Sequence, residues 1–241
     1  MKFPSDIRLN QADRKQQLLQ WFYEKHHENR KYDEAKDDNK KLNFYQEYLE
    51  NNKCSIDLGI DLGCRAGALT KHLKPYGNWV GTDIDSCAIK LAEENGIPCI
   101  QSDISIALDF KDDVFDAVLL TEVLEHLPYP MITIKEVHRI LKKNEKSVFM
   151  GSVPIDYHFH RRFAVFRGKR LTMDPTHLHS FSYKELKIML EHFFHHVSFK
   201  PMRGTKTRHA WLPWDHFVRD IAWIAGSPKK KVGDLKIEVI E

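Results

Sequence analysis

Between Ser55 and Val153 short apolar runs alternate with segments of helical periodicity, and nothing else in the chain limits its fold as tightly. SIDLGIDLG leads into a helix through Leu73. WVGTDID leads into a helix from Ser86 to Glu94. IPCIQSD and FDAVLLT follow, then a helix to Leu141 and the run SVFMGSV. Strands alternating with helices predict βαβ units and a parallel sheet. Runs such as DAVLL and SVFM are apolar on both faces, as central parallel strands need to be. The expectation is an α/β fold: a Rossmann-like, mostly parallel sheet flanked by helices.

Before Ser55 the chain is polar and charged, with apolar residues at helical spacing. Leu18, Leu19, Phe22 and Tyr23 form one stripe, and Leu42, Tyr45 and Leu49 form another. Two amphipathic helices follow from that spacing. They read either as an N-terminal helical cap over residues 1–50 or as a solvated extension. After Val153 the periodicity loosens, and residues 155–180 are rich in His, Arg and aromatics. YKELKIMLEHFF reads as a helix, and HVSFKPM and DIAWIAGS read as late strands of a main domain over 51–228. Residues 229–241 read as a charged tail or a short edge strand.

The strongest local signal is Asp61-Leu62-Gly63-Cys64-Arg65-Ala66-Gly67, which closes one strand and opens a helix. Gly63 lets the backbone turn tightly and approach a ligand. Gly67 lets helix and strand pack together. The helix N-terminus beyond offers free N–H groups and a partial positive charge to an anionic group. Asp83 ends the second strand and Asp103 the third. An acid at the second strand end can accept hydrogen bonds from two ribose hydroxyls, and ligands of open α/β sheets sit at these carboxyl ends. There is no GxxxxGK[ST] phosphate loop and no GxGxxG dinucleotide loop. A ligand with a ribose, an adenine and an amino-acid carboxylate, but no phosphate, fits better.

Bulk properties exclude several other classes. The 241 residues are 42% hydrophobic and 29% charged, enough for a normal core and against wholesale disorder. A net charge of +3 is milder than nucleic-acid binders usually carry. Cys54, Cys64, Cys87 and Cys99 form no CxxC pair and no Cys/His metal spacing, which fits a reduced, cytoplasmic setting. The first residues lack a signal-peptide core, and no apolar run is long enough to span a bilayer.

The stretch IDLGCRAG…VGTDID…IQSDIS…FDAVLLTEVLEHLPYPMITIKEVHRILKKNEKSVFMGSVP resembles the class I S-adenosylmethionine-dependent methyltransferases, in particular the broad type 11 group. The resemblance runs from about Ser55 to Pro154, and more loosely to Phe194. It implies a seven-stranded sheet and S-adenosylmethionine as cofactor. Asp61, Gly63, Cys64 and Gly67 would surround its methionine part. Asp83 would hold the ribose with Ile84 against the adenine, and Asp103 the adenine amino group with Ile104 beside it. Thr121 and Glu122 would face the methyl group. The family's PGG turn is replaced here by Lys143-Asn144-Glu145.

Glu122, Glu125 and His126 stand at i, i+3 and i+4, so one helical face could carry all three. With His179 they resemble the metal-binding set of the ubiquinone-pathway O-methyltransferases and the small-RNA 3′-end 2′-O-methyltransferases. That implies a divalent metal ion on Glu122, Glu125, His126 and His179 near the acceptor. Three readings stay open: this metal set; His126 as a general base with Glu122 and no metal; and a helix-start Glu122, a surface Glu125 and a His126 packed under the cofactor.

On the acceptor side, Arg161, Arg162, Arg167, Lys169 and Arg170, with Phe159, Phe163 and Phe166 interleaved, suit either a phosphate-bearing acceptor or a solvated basic loop. The Trp-rich stretch 211–223 could cover the acceptor pocket, rest on a membrane surface or form a dimer contact. The expected function is O-methylation of a small or carbohydrate-type metabolite. The alternatives are an RNA 2′-O-methyltransferase and a non-catalytic cofactor-binding subunit. An RNA acceptor would require a broader basic surface and a steep salt dependence.

Overall fold

The computed structural model describes residues 38–105, 107–155, 163, 165–168, 174, 176–203 and 218–233. The stripe at 18–23, most of the 155–180 lid segment, residues 211–217 and residues 234–241 lie outside them. Strands β1 (Ile56–Leu62), β2 (Gly77–Asp83), β3 (Cys99–Gln101), β4 (Ala117–Thr121), β5 (Val148–Pro154), β6 (Phe194–Arg203) and β7 (Val218–Pro228) form one sheet in the order β3-β2-β1-β4-β5-β7-β6. The pairs among β1 to β5 are parallel, and β7 runs antiparallel to both β5 and β6. Because β1 to β4 are parallel, their carboxyl ends share one edge.

The doubly apolar strands divide their side chains strictly between two cores. Ile60, Leu62, Val118, Leu120, Phe149, Ile221 and Trp223 face one side. There they meet helices α3 (Pro130–Ile140) and α4 (Tyr183–Phe193) through Ile134, Val137, Leu186 and Leu190. Ala117, Leu119, Val148, Met150, Ala222 and Ile224 face the other. That side is covered by helix α1 (Asp38–Asn51) through the predicted stripe Leu42, Tyr45 and Leu49. The Tyr45 hydroxyl also donates to the Gly151 carbonyl at 2.7 Å, a buried bond that fixes α1 on β5.

Helix α2 (Ser86–Glu94) is capped by Asp85, whose carboxylate accepts from the Cys87 and Ala88 amides. Ser182 and Glu185 form a capping box at the start of α4. The departure at Lys143-Asn144-Glu145 is absorbed locally. The Asn144 carboxamide oxygen accepts from Lys146 and Ser147, and Lys143 Nζ donates to the His138 and Leu141 carbonyls that end α3.

One segment differs from expectation. The helix through Leu73 is a seven-residue 3-10 helix, Thr70–Tyr76, because Pro75 lacks the N–H that a continuing α-helix needs. Trp223, the last residue of the Trp-rich stretch, is buried in β7 against Phe149, with ring centroids 5.6 Å apart. That part of the stretch is core and covers no pocket or membrane surface. No helix among the described residues is long and apolar enough to cross a membrane.

Candidate functional site

The carboxyl edge of β1 and β2 is a tight turn held by backbone bonds. The Gly63 and Cys64 amides both donate to the Thr82 carbonyl, at 2.8 and 2.9 Å. Gly63 has φ +76, and a β-carbon there would stand 2.7 Å from Val123 Cγ2. Gly67 has φ +66 and faces Ile97 and Ala92, so its missing side chain is what lets the loop close on the end of α2. Arg65 and Asp85 donate their amides to opposite oxygens of Asp83, at 2.8 and 2.9 Å. Those two bonds orient the carboxylate. Asp103 lies two residues beyond β3 and accepts from the Ser105 amide. Ile84 is half-buried and Ile104 buried.

Asp61 lies in β1, in register with Gly81 of β2. Thr70 donates to its Oδ2, while its buried Oδ1 has no partner among the described residues. Burial, reinforced by the nearby Asp83 charge and opposed by the Thr70 bond, pushes the carboxyl up to about 7. A buried orphan acceptor of this kind suits a cationic or N–H-bearing ligand group.

At the end of β4, Thr121 pairs in register with Ser152 of β5. Glu122 follows in the left-handed region, with φ +54. Its amide donates to the Ser152 carbonyl, and its carboxylate accepts from Ser152 Oγ at 2.7 Å and Lys41 Nζ at 2.8 Å. Lys41 comes from α1, is only 3% exposed, and also lies 3.8 Å from Asp220 of β7. Partial burial alone would raise the Glu122 carboxyl, but Lys41 and Ser152 together hold it below its usual value. Asp220 goes the other way, raised by its own burial and by the Glu122 charge.

Residues 122–126 do not form the expected helical face. Leu124–His126 is a single 3-10 turn, and Glu122 is engaged by Lys41 and Ser152. Glu125 is not a surface acid either: it is 1% exposed. The Leu178 and His179 amides both donate to the Glu125 carbonyl, docking the 176–179 segment on this turn. That brings Glu125, His126 and His177 together, with donor atoms within 4.8 Å of one another. His179 turns away, with Nε2 3.3 Å from the Pro128 carbonyl. Of the four expected metal ligands the structure therefore groups Glu125 and His126, and adds His177 where the family resemblance favoured His179. No periodicity in DPTHLHS marks which histidine docks; the turn on the Glu125 carbonyl decides it.

The protonation pattern is legible. His126 Nδ1 lies 3.2 Å from the Thr176 carbonyl and 2.9 Å from Thr176 Oγ1, which itself donates to Asp174 at 2.6 Å. Nδ1 must then be the donor, which leaves Nε2 as the basic nitrogen, 3.8 Å from Glu125 Oε1. Burial, and then the neighbouring His177, push the His126 imidazole down to about 4. Burial and the Glu122 charge push the Glu125 carboxyl well up, and its Oε2 has no partner among the described residues. Of the basic positions between 160 and 170 only Arg167 is described, with its guanidinium 4.8 Å above the Phe163 ring.

The family described as "Methyltransferase domain" matches residues 60–149, the span that carries the glycine loop, Asp83, Asp103 and the β4 end. An uncharacterized protein of Methanocaldococcus jannaschii is 30% identical over 179 residues, 73% of this chain and 80% of that one. The ubiquinone biosynthesis O-methyltransferase of Nitrosococcus oceani is 31% identical over 111 residues, 43% of this chain and 47% of that enzyme, so the match spans about half its length. Among solved structures, a SAM dependent methyltransferase from Archaeoglobus fulgidus shares the fold, with TM-score 0.58 and 19% identity over 77% of this chain and 94% of that one. Glycine loop, strand-end acids, sheet order and these matches agree: the chain belongs to the class I, type 11-like S-adenosylmethionine-dependent methyltransferases.

Proposed function

We propose that the chain methylates a hydroxyl of a small or carbohydrate-type metabolite. The observation that carries this is the pair of proton-accepting groups at the carboxyl end of β4. Glu122 is held ionised by Lys41 and Ser152, and His126 keeps its Nε2 lone pair because Nδ1–H is committed to Thr176. A hydroxyl is a weak nucleophile while it keeps its proton, so an acceptor of that proton beside the methyl site favours oxygen chemistry. The similarity to a ubiquinone biosynthesis O-methyltransferase supports the same reading.

S-adenosylmethionine, when bound, supplies a methyl group already activated on a sulfonium. The chain's own work is then holding and aligning, which accounts for most of the catalysis. Asp61, Gly63, Cys64 and Gly67 would line the methionine part. Asp83 with Ile84, and Asp103 with Ile104, would hold the ribose and adenine. Thr121 and Glu122 would face the acceptor, with Glu122 or His126 taking its proton.

One observation favours a metal-assisted variant. Glu125 Oε2 is buried without a partner among the described residues, beside the neutral His126 and close to His177. One carboxylate and two imidazoles suit a divalent ion of the Mg/Mn/Fe/Zn class. Such an ion would ionise Glu125 and lower the pKa of an acceptor hydroxyl.

Calorimetric titration with S-adenosylmethionine and S-adenosylhomocysteine, with and without a chelator, tests both. Micromolar binding followed by turnover of hydroxylated metabolites is expected, with His126→Ala lowering kcat at least about 100-fold while leaving S-adenosylhomocysteine affinity intact. Chelator-sensitive turnover would select the metal variant. Absence of binding to either compound would sink the assignment of the cofactor site.

A further inference from the structure

Cys64 and Cys99 place their sulfurs 3.5 Å apart. Cys64 follows the turn of the glycine loop, and Cys99 opens β3 opposite Gly81 of β2. Gly81 is what lets them meet: a β-carbon there would stand 2.5 Å from Cys64 Sγ and 2.8 Å from Cys99 Sγ. Cys64 is buried and Cys99 half-buried, so one sulfur of the pair is open to a solvent-borne reagent. Spacing along the chain gave no hint of this pair, because the two residues are 35 positions apart and are joined only by the sheet order.

We infer that Cys64 and Cys99 are an oxidisable dithiol at the cofactor loop, whose closure to a disulfide weakens binding of the cofactor. The second half of this rests on the proposed cofactor site. The oxidant is a hydroperoxide. The Cys99 thiolate attacks one peroxide oxygen, the O–O bond breaks, and hydroxide leaves as water after taking up a proton. Cys99, oxidised by two electrons, is then a sulfenic acid. The Cys64 sulfur attacks it, the S–S bond forms, the S–O bond breaks and a second water leaves with the Cys64 proton. Two thiols and one hydrogen peroxide thus give one disulfide and two waters. Cys99, the more exposed of the two, is suited to attack first: its contact with the Cys64 sulfur holds its pKa below the usual thiol range, while that contact and burial push Cys64 up.

Closure must shorten the sulfur separation from 3.5 Å to about 2.05 Å. Cys64 is tied through its amide to Thr82, and its neighbour Arg65 supplies the amide that orients Asp83. Drawing Cys64 toward β3 therefore disturbs that carboxylate. The expected effect is roughly a tenfold loss of S-adenosylhomocysteine affinity, the scale of one charge-assisted hydrogen bond.

The test uses the full chain carrying Cys54→Ser and Cys87→Ser, so that only the pair can react. The protein is treated with hydrogen peroxide, mapped by peptide mass spectrometry and titrated with S-adenosylhomocysteine when reduced, oxidised and re-reduced. A product lighter by two hydrogens, a cross-linked peptide joining residues 64 and 99, and weakened binding restored by dithiothreitol are expected. Cys99→Ser should keep the reduced-state affinity after peroxide. Absence of the cross-link overturns the dithiol. A cross-link with unchanged affinity overturns its coupling to the site. If the reduced protein binds no S-adenosylhomocysteine, the cofactor-site reading fails instead, and the cross-link alone decides the dithiol.

Discussion

Asp61 and Asp83 stand at the ends of the adjacent strands β1 and β2, and each carries its own test. The Asp61 carboxyl stands near 7 in the folded protein, against about 4 in an unfolded chain. Its protonated form is therefore favoured by folding. That contribution is fully present below about pH 4 and is lost as the pH rises through about 7. A ligand ammonium beside the orphan Oδ1 favours the ionised form, so binding at about pH 6 should expel a proton. S-adenosylhomocysteine affinity should then rise toward about pH 7 and level above it, with Asp61→Asn flattening the profile. Calorimetry in two buffers of different ionisation enthalpy reads the proton directly; zero release at low pH would contradict the placement of Asp61. Asp83→Ala removes the acceptor of the Arg65 and Asp85 amides as well as the proposed ribose partner. Affinity should fall by about 2–4 kcal/mol, the worth of two charge-assisted bonds. An Asp83→Ala protein that binds as tightly as the parent would displace the ribose site.

At the scale of elements, a buried lysine joins α1 to the carboxyl end of β4 and to β7. Lys41 supplies the cation between Glu122 at the end of β4 and Asp220 in β7. Lys41→Met leaves both carboxylates without that charge, and breaking a buried pair is costly because the survivor stays desolvated. Glu122 keeps an edge open to solvent, so the loss of stability should be about 2–4 kcal/mol rather than more. The Glu122 pKa should rise as well, moving the acid limb of the pH–rate profile upward. Chemical denaturation and a pH–rate series measure the two effects, and a change under about 0.5 kcal/mol would mean that Lys41 is not the counter-charge. This ion pair was invisible in the sequence, since nothing in DNKKLNFYQEYLEN says which lysine turns inward. By contrast, α2 was legible to the residue, because Asp85 caps it and Gly96 follows it. The 122–126 segment was misread as helical because the i, i+3, i+4 spacing does not reveal that Glu122 has a left-handed backbone and that only Leu124–His126 turns, as a 3-10 helix.

Over the whole molecule, what could be read was the alternation of the sheet, and what could not was how distant segments dock on it. Runs apolar on both faces announced strands covered on both sides, and the two cores divide β1, β4, β5 and β7 between them. The His177 docking and the Cys64–Cys99 contact join segments 51 and 35 positions apart, a separation at which local pattern carries no information. The same argument bears on residues 1–50. A cap that only closes over a site could be removed without unfolding the sheet. Helix α1 instead completes one of the two cores, burying Leu42, Tyr45 and Leu49 and bonding Tyr45 to Gly151. Full burial of three such side chains stabilises by roughly 5 kcal/mol, comparable to the net stability of a domain. A chain starting at residue 53 should therefore lose its cooperative thermal transition and bind an apolar dye, and not merely lose activity. Circular dichroism melts of the two chains compare the expectations directly. A shortened chain that melts within a few degrees of the full one would show that α1 is a dispensable cover.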